Sequence, residues 1–393
     1  MRLRFAAGLA CLVAAFALPP GAAAQTKPVV VGAAIAETGF LADLAAGTRN
    51  ALLLWQAQVN AADGLLGRPV DLKLYDDASD SLRETALYEK LIKEDHADLL
   101  IGAFGSAATS MSAAVAERSR RVMVNATGAS PEIHRRLYRY VFQVPPPSDA
   151  TAAGIMAVAA KAGLKSLVVT ARQEDVAAPL LEQLRRRAGG MEVRPAVAFL
   201  RDPMLGLGPF AKKLAGTQPD VIVSPAGPHD SADLVRGLKA AGYAPKLLVT
   251  AGVLSPDFIR LIGQDAEYAA AFSSYETRAA TPGNAEFVKA YRAKYNTAPD
   301  FHAACGWSAG MVIEAAVAKA GSLEQEKLRV AFATLETPTV LGGYKVAADG
   351  SQLAATAFLV QILRGRREVV WPDAFRSAEP VVPMPEWSRR KPL

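Results

Sequence analysis

The chain has 393 residues, 51% of them apolar, and a formal net charge of +6 from 44 basic and 38 acidic side chains. This length outgrows a single hydrophobic core, so two domains or three are expected. The arginines stand singly or in short clusters such as Arg185–Arg187 and Arg364–Arg367, with no interleaved aromatic residues. That balance excludes a nucleic-acid-binding surface and leaves solvated helix ends and hairpin tips.

At the start of the chain, Arg2 and Arg4 form a basic segment, Phe5–Leu18 an apolar run of 14 residues, and Ala22–Ala24 a small-residue cleavage site. This is the pattern of a secretory signal, so residues 1–24 are set apart from the fold and the mature chain is expected outside the cytoplasm. The run is shorter than the roughly 20 residues that cross a bilayer, and no later segment stays apolar and uncharged for as long. Cys11 lies inside the signal with no lipoprotein-type leucine before it, so Cys305 is the single cysteine of the mature chain and an internal disulfide is excluded.

The first element is "VVVGAAI" at 29–35, a fully apolar β-branched run that predicts a strand buried on both faces. Leu44, Ala51, Leu52, Trp55 and Val59 then recur at helical spacing, and "NAADGLLGRP" ends the helix in a glycine-rich turn. The alternation continues through "VDLKLYDD", a helix at about 82–94, "DLLIGA", a helix from about 106 and "VMVN". Strands alternating with helices predict a parallel sheet with helices on both faces.

"YRYVFQVPPPSDA" interrupts the series with prolines at 145–147, which reads as a crossing between domains. A second series follows, with strands at "SLVVT", "VRPAVAFL", "DVIVSP" and "KLLVTA". After "YAAAFSSYETRAATPG" come three helical segments, including the apolar "AACGWSAGMVIEAAVAKAG", and then a strand pair around "TAFLVQILRGRREVVWP". Helices without a sheet of their own must pack on an earlier one, so a return crossing is expected. Core packing is expected of Cys305, Trp307 and Met311.

Several chemistries find no support. The histidines His96, His134, His229 and His302 are far apart, so no metal site is expected. No nucleophile elbow surrounds Ser106 and no Walker loop occurs, so neither hydrolase nor nucleotide chemistry is predicted, and no cofactor. "GLGPFA" at 206–211 fits Gly-x-Gly-x-x-Ala, but Pro209 stands where a dinucleotide loop offers an N–H, and a plain loop-to-helix junction is expected.

What remains is "IGAFGSAAT" and "VNATGASPE", both at the carboxyl edge of the first sheet, where an open α/β sheet takes its ligand. Gly105 permits close approach, the amides around Ser106, Ala107 and Ala108 start a helix at its positive end, and Ser106 and Thr127 add hydroxyls. Ser106 has a second reading as a simple helix cap, the role expected of Ser130 before Pro131.

Together with "VGAAIAETGFLADL", "QVNAADGLLGRPVDLKLYDDASD", "LKAAGY" and "KYNTAPDFHAACGWSAG", these stretches make the chain resemble the periplasmic branched-chain amino acid (leucine/isoleucine/valine)-binding proteins of ABC importers. The resemblance implies an α/β fold of two Rossmann-like lobes joined by three crossover segments, a ligand cleft between them, and hinge closure. The implied organisation is a first lobe of 25–145 and 278–345 and a second of 146–277 and 346–393.

By the same resemblance a ligand carboxylate is held by Ser106 and by Thr127, Gly128 and Ala129. Phe104, Gly105 and Ala107 are the neighbouring candidates in the first loop, and Tyr275 and Glu276, which follow a second-lobe strand in "AAAFSSYE", either line the cleft from the other side or form an ordinary strand end turning to solvent. The sequence departs from the amino acid binders where an acidic residue would meet the ammonium, since Ala251 stands there, and Gly227 stands near the position of a second-lobe tyrosine. A buried ammonium needs a carboxylate partner, and Glu276, Asp230 and Glu37 are the substitutes. The implied role is a non-catalytic, monomeric receptor that hands a small carboxylate- or amide-bearing solute to a membrane permease; a receptor that signals to a membrane partner is the alternative.

Overall fold

The computed structural model describes residues 27–147, 150–172, 174–200, 202 and 204–390. The secretory-signal expectation falls on residues outside this set.

The first sheet is built from β1 (Val29–Ala34), α1 (Ala42–Ala61), β2 (Val70–Tyr75), α2 (Glu84–Lys93), β3 (Leu99–Ile101), α3 (Ser106–Arg118), β4 (Met123–Asn125), α4 (Glu132–Arg135) and β5 (Val141–Gln143). Its strands are all parallel, in the order β2-β1-β3-β4-β5. β1 is buried along its whole length because helices cover both faces: Val29, Val31 and Ala33 join the core under α1, while Val30 and Ala34 pack with Tyr88 and Leu91 of α2. Leu44, expected on the apolar stripe of α1, is 53% exposed. The buried face runs instead through Ala45, Thr48, Leu52, Trp55 and Val59.

The chain then builds α5 (Ala150–Lys161), β6 (Ser166–Ala171), α6 (Glu174–Arg186), β7 (Glu192–Val193), β8 (Val197–Ala198), α7 (Gly208–Gly216), β9 (Val221–Ser224), α8 (Pro228–Ala240), β10 (Leu247–Thr250), α9 (Pro256–Ile262) and β11 (Ala270–Ser273). The strand expected over "VRPAVAFL" is split into β7 and β8, which pair with the two ends of β6. Pro195 lies between them and has no N–H to give a ladder.

α10 (Asn284–Tyr295), α11 (Phe301–Ala320), α12 (Gln325–Thr334), β12 (Thr337–Thr339) and β13 (Gly342–Tyr344) follow. They return to the first lobe, where Cys305, Val312 and Ile313 of α11 share one core with Leu52 and Trp55 of α1. α11 approaches α1 closely: a Cβ on Gly306 would lie 2.7 Å from the Thr48 carbonyl oxygen. Finally β14 (Phe358–Leu363) and β15 (Arg366–Trp371) add to the second sheet as antiparallel strands beyond β11.

The passages between lobes are laced together. The Gln143 amide donates to the Gly350 carbonyl at 2.9 Å, and Gln352 Nε2 donates to the Val144 carbonyl at 3.1 Å. The C-terminal segment packs on the second lobe, where Trp387 Nε1 donates to the Tyr243 carbonyl at 2.8 Å and the Arg390 guanidinium stacks on the Trp387 ring.

Candidate functional site

The strand order of the first sheet reverses between β1 and β3, so the crevice beyond their carboxyl ends is the place where a doubly wound sheet takes a ligand. The loop after β3 enters α3 through Gly105, whose φ of +85° and ψ of 162° belong to a region essentially reserved for glycine. A Cβ there would meet no atom within 4 Å, so the glycine faces open space.

Gly105 has no side chain to cap α3, and the first amide to bond backwards is Thr109, to the Gly105 carbonyl at 2.9 Å. The amides of Ser106, Ala107 and Ala108 have no acceptor among the described residues and are the orphan donors of this end, where the helix dipole is positive.

The neighbouring loop after β4 is tied to this end by three bonds. The Gly105 amide donates to Thr127 Oγ1 at 3.0 Å, Thr127 Oγ1 donates to the Ala103 carbonyl at 3.0 Å, and the Ser130 amide donates to Ser106 Oγ at 3.1 Å. Asn125 braces the loop from beneath, with Oδ1 accepting from the Gly128 amide at 2.7 Å.

These bonds separate the two hydroxyls. Thr127 spends its proton inside the protein, so its hydroxyl shapes the loop. Ser106 only accepts, and its proton is uncommitted among the described residues. Nor does Ser106 cap its helix: Gly105 is the cap residue and Ser106 the first helical one. Ser130, expected to cap the next helix, is not its cap residue either: Pro131 is, with no side-chain cap, and Ser130 Oγ accepts from the Glu132 amide only at a long 3.4 Å.

The remaining expected residues are distributed as follows. Ala107 and Ala129 are exposed, and Gly128 is buried where a Cβ would press on Ile133 and Thr109 within 3 Å. Phe104 turns into the first-lobe core, its ring edge-on to His302 with centroids 4.9 Å apart.

Tyr275 and Glu276, expected opposite this edge, come just after β11. The Tyr275 ring is 6% exposed in the first-lobe core and its hydroxyl donates to Asn284 Oδ1 at 2.7 Å. Glu276 lies in the passage between lobes, 3.6 Å from Arg367. Burial raises its carboxyl above the usual range although the arginine pulls the other way.

All three acidic residues considered as ammonium partners are engaged by arginines. Glu37 lies 2.8 Å from Arg49, Asp230 is 2.7 Å from Arg172, and Glu276 faces Arg367. The loop carrying Glu37 is further pinned by Asp76, which accepts from Thr38 Oγ1 at 2.6 Å and from the Glu37 amide at 2.9 Å. The Thr38 hydroxyl and those backbone donors hold Asp76 at about 2. Arg172 itself was not singled out in the sequence; its signal is that it is the first charged residue after the apolar strand "SLVVTA".

A family model described as periplasmic binding protein matches residues 28–367. The chain belongs to the periplasmic binding protein family. Among relatives of this periplasmic binding protein, a Leu/Ile/Val-binding protein homologue of Brucella abortus is 24% identical over 363 residues, covering 86% of this chain and 88% of its own.

Its fold is also that of solved structures. A branched-chain amino acid ABC transporter candidate from Rhodospirillum rubrum superposes with a TM-score of 0.77 at 22% identity, over 88% of this chain and 100% of its own. An ABC transporter solute-binding protein of R. palustris in complex with benzoate gives 0.61 at 21% identity, over 91% and 99%. The chain thus has the type I periplasmic binding protein fold of two α/β lobes, and its relatives are substrate-binding proteins rather than enzymes.

Proposed function

We propose that this periplasmic binding protein is the receptor of an ABC importer, resident in the periplasm after loss of its signal, which captures a small carboxylate-bearing solute between its lobes and delivers it to a membrane permease. The observation that carries the reading is the start of α3, where three uncapped amides and the uncommitted Ser106 hydroxyl converge beside the loop Thr127–Ala129. Such an end holds an anion by fixed dipoles without a side-chain charge. Hinge closure then completes the enclosure from the second lobe.

The same observations favour an acid or amide over an α-amino acid. An ammonium enclosed in the cleft needs a carboxylate, and Glu37, Asp230 and Glu276 are each occupied by an arginine. Solved structures of this fold hold isoleucine in one case and benzoate in another, so the fold itself admits either kind of ligand.

The test is a thermal-shift screen of leucine, isoleucine and phenylalanine, their 2-oxo acids, their amides, and benzoate. A solute at about 100 times its dissociation constant stabilises the folded chain by about 2.7 kcal/mol. The reading expects carboxylates to shift the midpoint and Ser106→Ala to diminish that shift. Silence across the panel, or an undiminished shift in the variant, refutes it.

A further inference from the structure

The parallel strands of the second sheet run β7-β6-β9-β10-β11, which repeats the order of the first. Its switch point therefore lies between β6 and β9, as that of the first lies between β1 and β3. Arg172 is the first residue after β6, and Ser224 is the last of β9. α8 follows β9 and starts from a glycine, Gly227, with no side-chain cap, although Pro228 at its first position brings no N–H.

The residues at this switch point suit negative charge. Ser224 is in register with Thr250, and Val223 with both Val249 and Val169, so Thr170, Ser224 and Thr250 form a row on one face of the sheet. That face is covered by α8, since Thr250 Oγ1 lies 2.6 Å from Ser231 Oγ. The side chains of Thr170 and Ser224 are buried, at 0% and 1% exposure, and their hydroxyls have no hydrogen-bond partner among the described residues.

Arg172, two residues beyond Thr170, comes to the same face. Its Nε donates to Asp230 Oδ2 at 2.7 Å and its Nη2 to Asp230 Oδ1 at 2.9 Å. The Asp230 side chain is 8% exposed and that of Arg172 60%, so a buried carboxylate aims a solvent-facing guanidinium whose Nη1 hydrogens are uncommitted among the described residues.

We infer that this second-lobe edge receives a second anionic group, and that the solute is a short dicarboxylate lacking an ammonium. The inference rests on the first-lobe carboxylate reading and extends it. A guanidinium fixed in a fork by a buried aspartate recognises carboxylate oxygens by charge-assisted hydrogen bonds. Beside it stands a helix N-terminus, with two buried hydroxyls beneath α8 that have no partner among the described residues, and the same cation repels an ammonium. Closure sets one carboxylate against each uncapped helix end, α3 on one lobe and α8 on the other.

The test is titration calorimetry of the full mature chain with glutarate, succinate, butyrate, glutamate and leucine, on the wild type, Arg172→Gln and Ser106→Ala. A dicarboxylate should bind at least about tenfold more tightly than butyrate, and glutarate more tightly than glutamate. Arg172→Gln should weaken the dicarboxylate by about 10- to 100-fold, the range of a charged hydrogen bond, and butyrate far less. Because that change strands a buried Asp230, Arg172→Gln/Asp230→Asn serves as a second variant, expected to show the same selective loss with an undisturbed circular dichroism melt.

Dicarboxylates no tighter than butyrate, an equal loss for both probes in Arg172→Gln, or preference for leucine or glutamate would overturn the inference. The first-lobe reading survives those outcomes as long as Ser106→Ala weakens whatever binds. Indifference of every probe to Ser106→Ala, or silence of all five, removes both.

Discussion

Thr127 and Ser106 are neighbouring hydroxyls with different predicted roles, and two substitutions tell them apart. Thr127→Val keeps the side-chain shape but removes the bond accepted from the Gly105 amide and the one donated to the Ala103 carbonyl, each 3.0 Å long. Ala103 keeps a partner, because Thr109 Oγ1 also donates to its carbonyl, at 2.7 Å. The part-buried Gly105 amide is the group left wanting, so the expected cost is about 1–2 kcal/mol of folding stability.

Ser106→Ala removes only the bond accepted from the Ser130 amide at 3.1 Å, at a part-buried position. Its expected folding cost is about 1 kcal/mol or less, but a carboxylate loses a hydroxyl donor worth about 1.5–3 kcal/mol, or roughly 10- to 150-fold in dissociation constant. Urea unfolding read by tryptophan fluorescence measures the first quantity and titration calorimetry the second. The reasoning fails if Thr127→Val proves as stable as the wild type, or if Ser106→Ala costs more in folding than in binding.

Other substitutions test the frame around the site. Gly306→Ala places a methyl 2.7 Å from the Thr48 carbonyl oxygen, a backbone atom that moves only if α1 and α11 separate, so a loss of about 1–3 kcal/mol in urea unfolding is expected. Glu84 is fully buried next to Asp77, and burial followed by that neighbour pushes its carboxyl up to about 9. The unfolded chain releases this proton near the ordinary carboxylate value while the folded chain keeps it, so stability is lost as pH climbs from about 5 toward 9. Glu84→Gln should flatten that decline, matching the wild type near pH 5 and melting higher at pH 8 in calorimetric scans. Gly105→Ala forces a φ of +85° on a residue with a side chain, at an expected cost of about 1–3 kcal/mol, although the space around it is open; wild-type stability in this variant would show that the loop relaxes freely.

The fold was legible where one physical signal dominated. The run "VVVGAAI" reads as a doubly buried strand because every residue in it is apolar, and the prolines at 145–147 mark a passage because they leave the chain few alternatives. Local chemistry also placed the start of α3, since a glycine before small residues is readable without tertiary information.

Long-range pairings were hidden. Arg172 and Asp230 are 58 positions apart, and they meet only because the sheet sets β6 beside β9. Thr127 and Ser106 look equivalent in sequence; which one spends its proton depends on the Ala103 carbonyl across the loop. Tyr275 follows a second-lobe strand, yet its ring belongs to the first-lobe core, because the chain has turned back within two residues of β11.

The most direct test of the account follows backbone amides in a nitrogen–proton correlation spectrum while the tightest-binding carboxylate of the screen is added. The account predicts that the amides of Ser106, Ala107 and Ala108 show the largest downfield shifts, as orphan donors that acquire an anionic acceptor. Saturated binding that leaves those three resonances in place would contradict it.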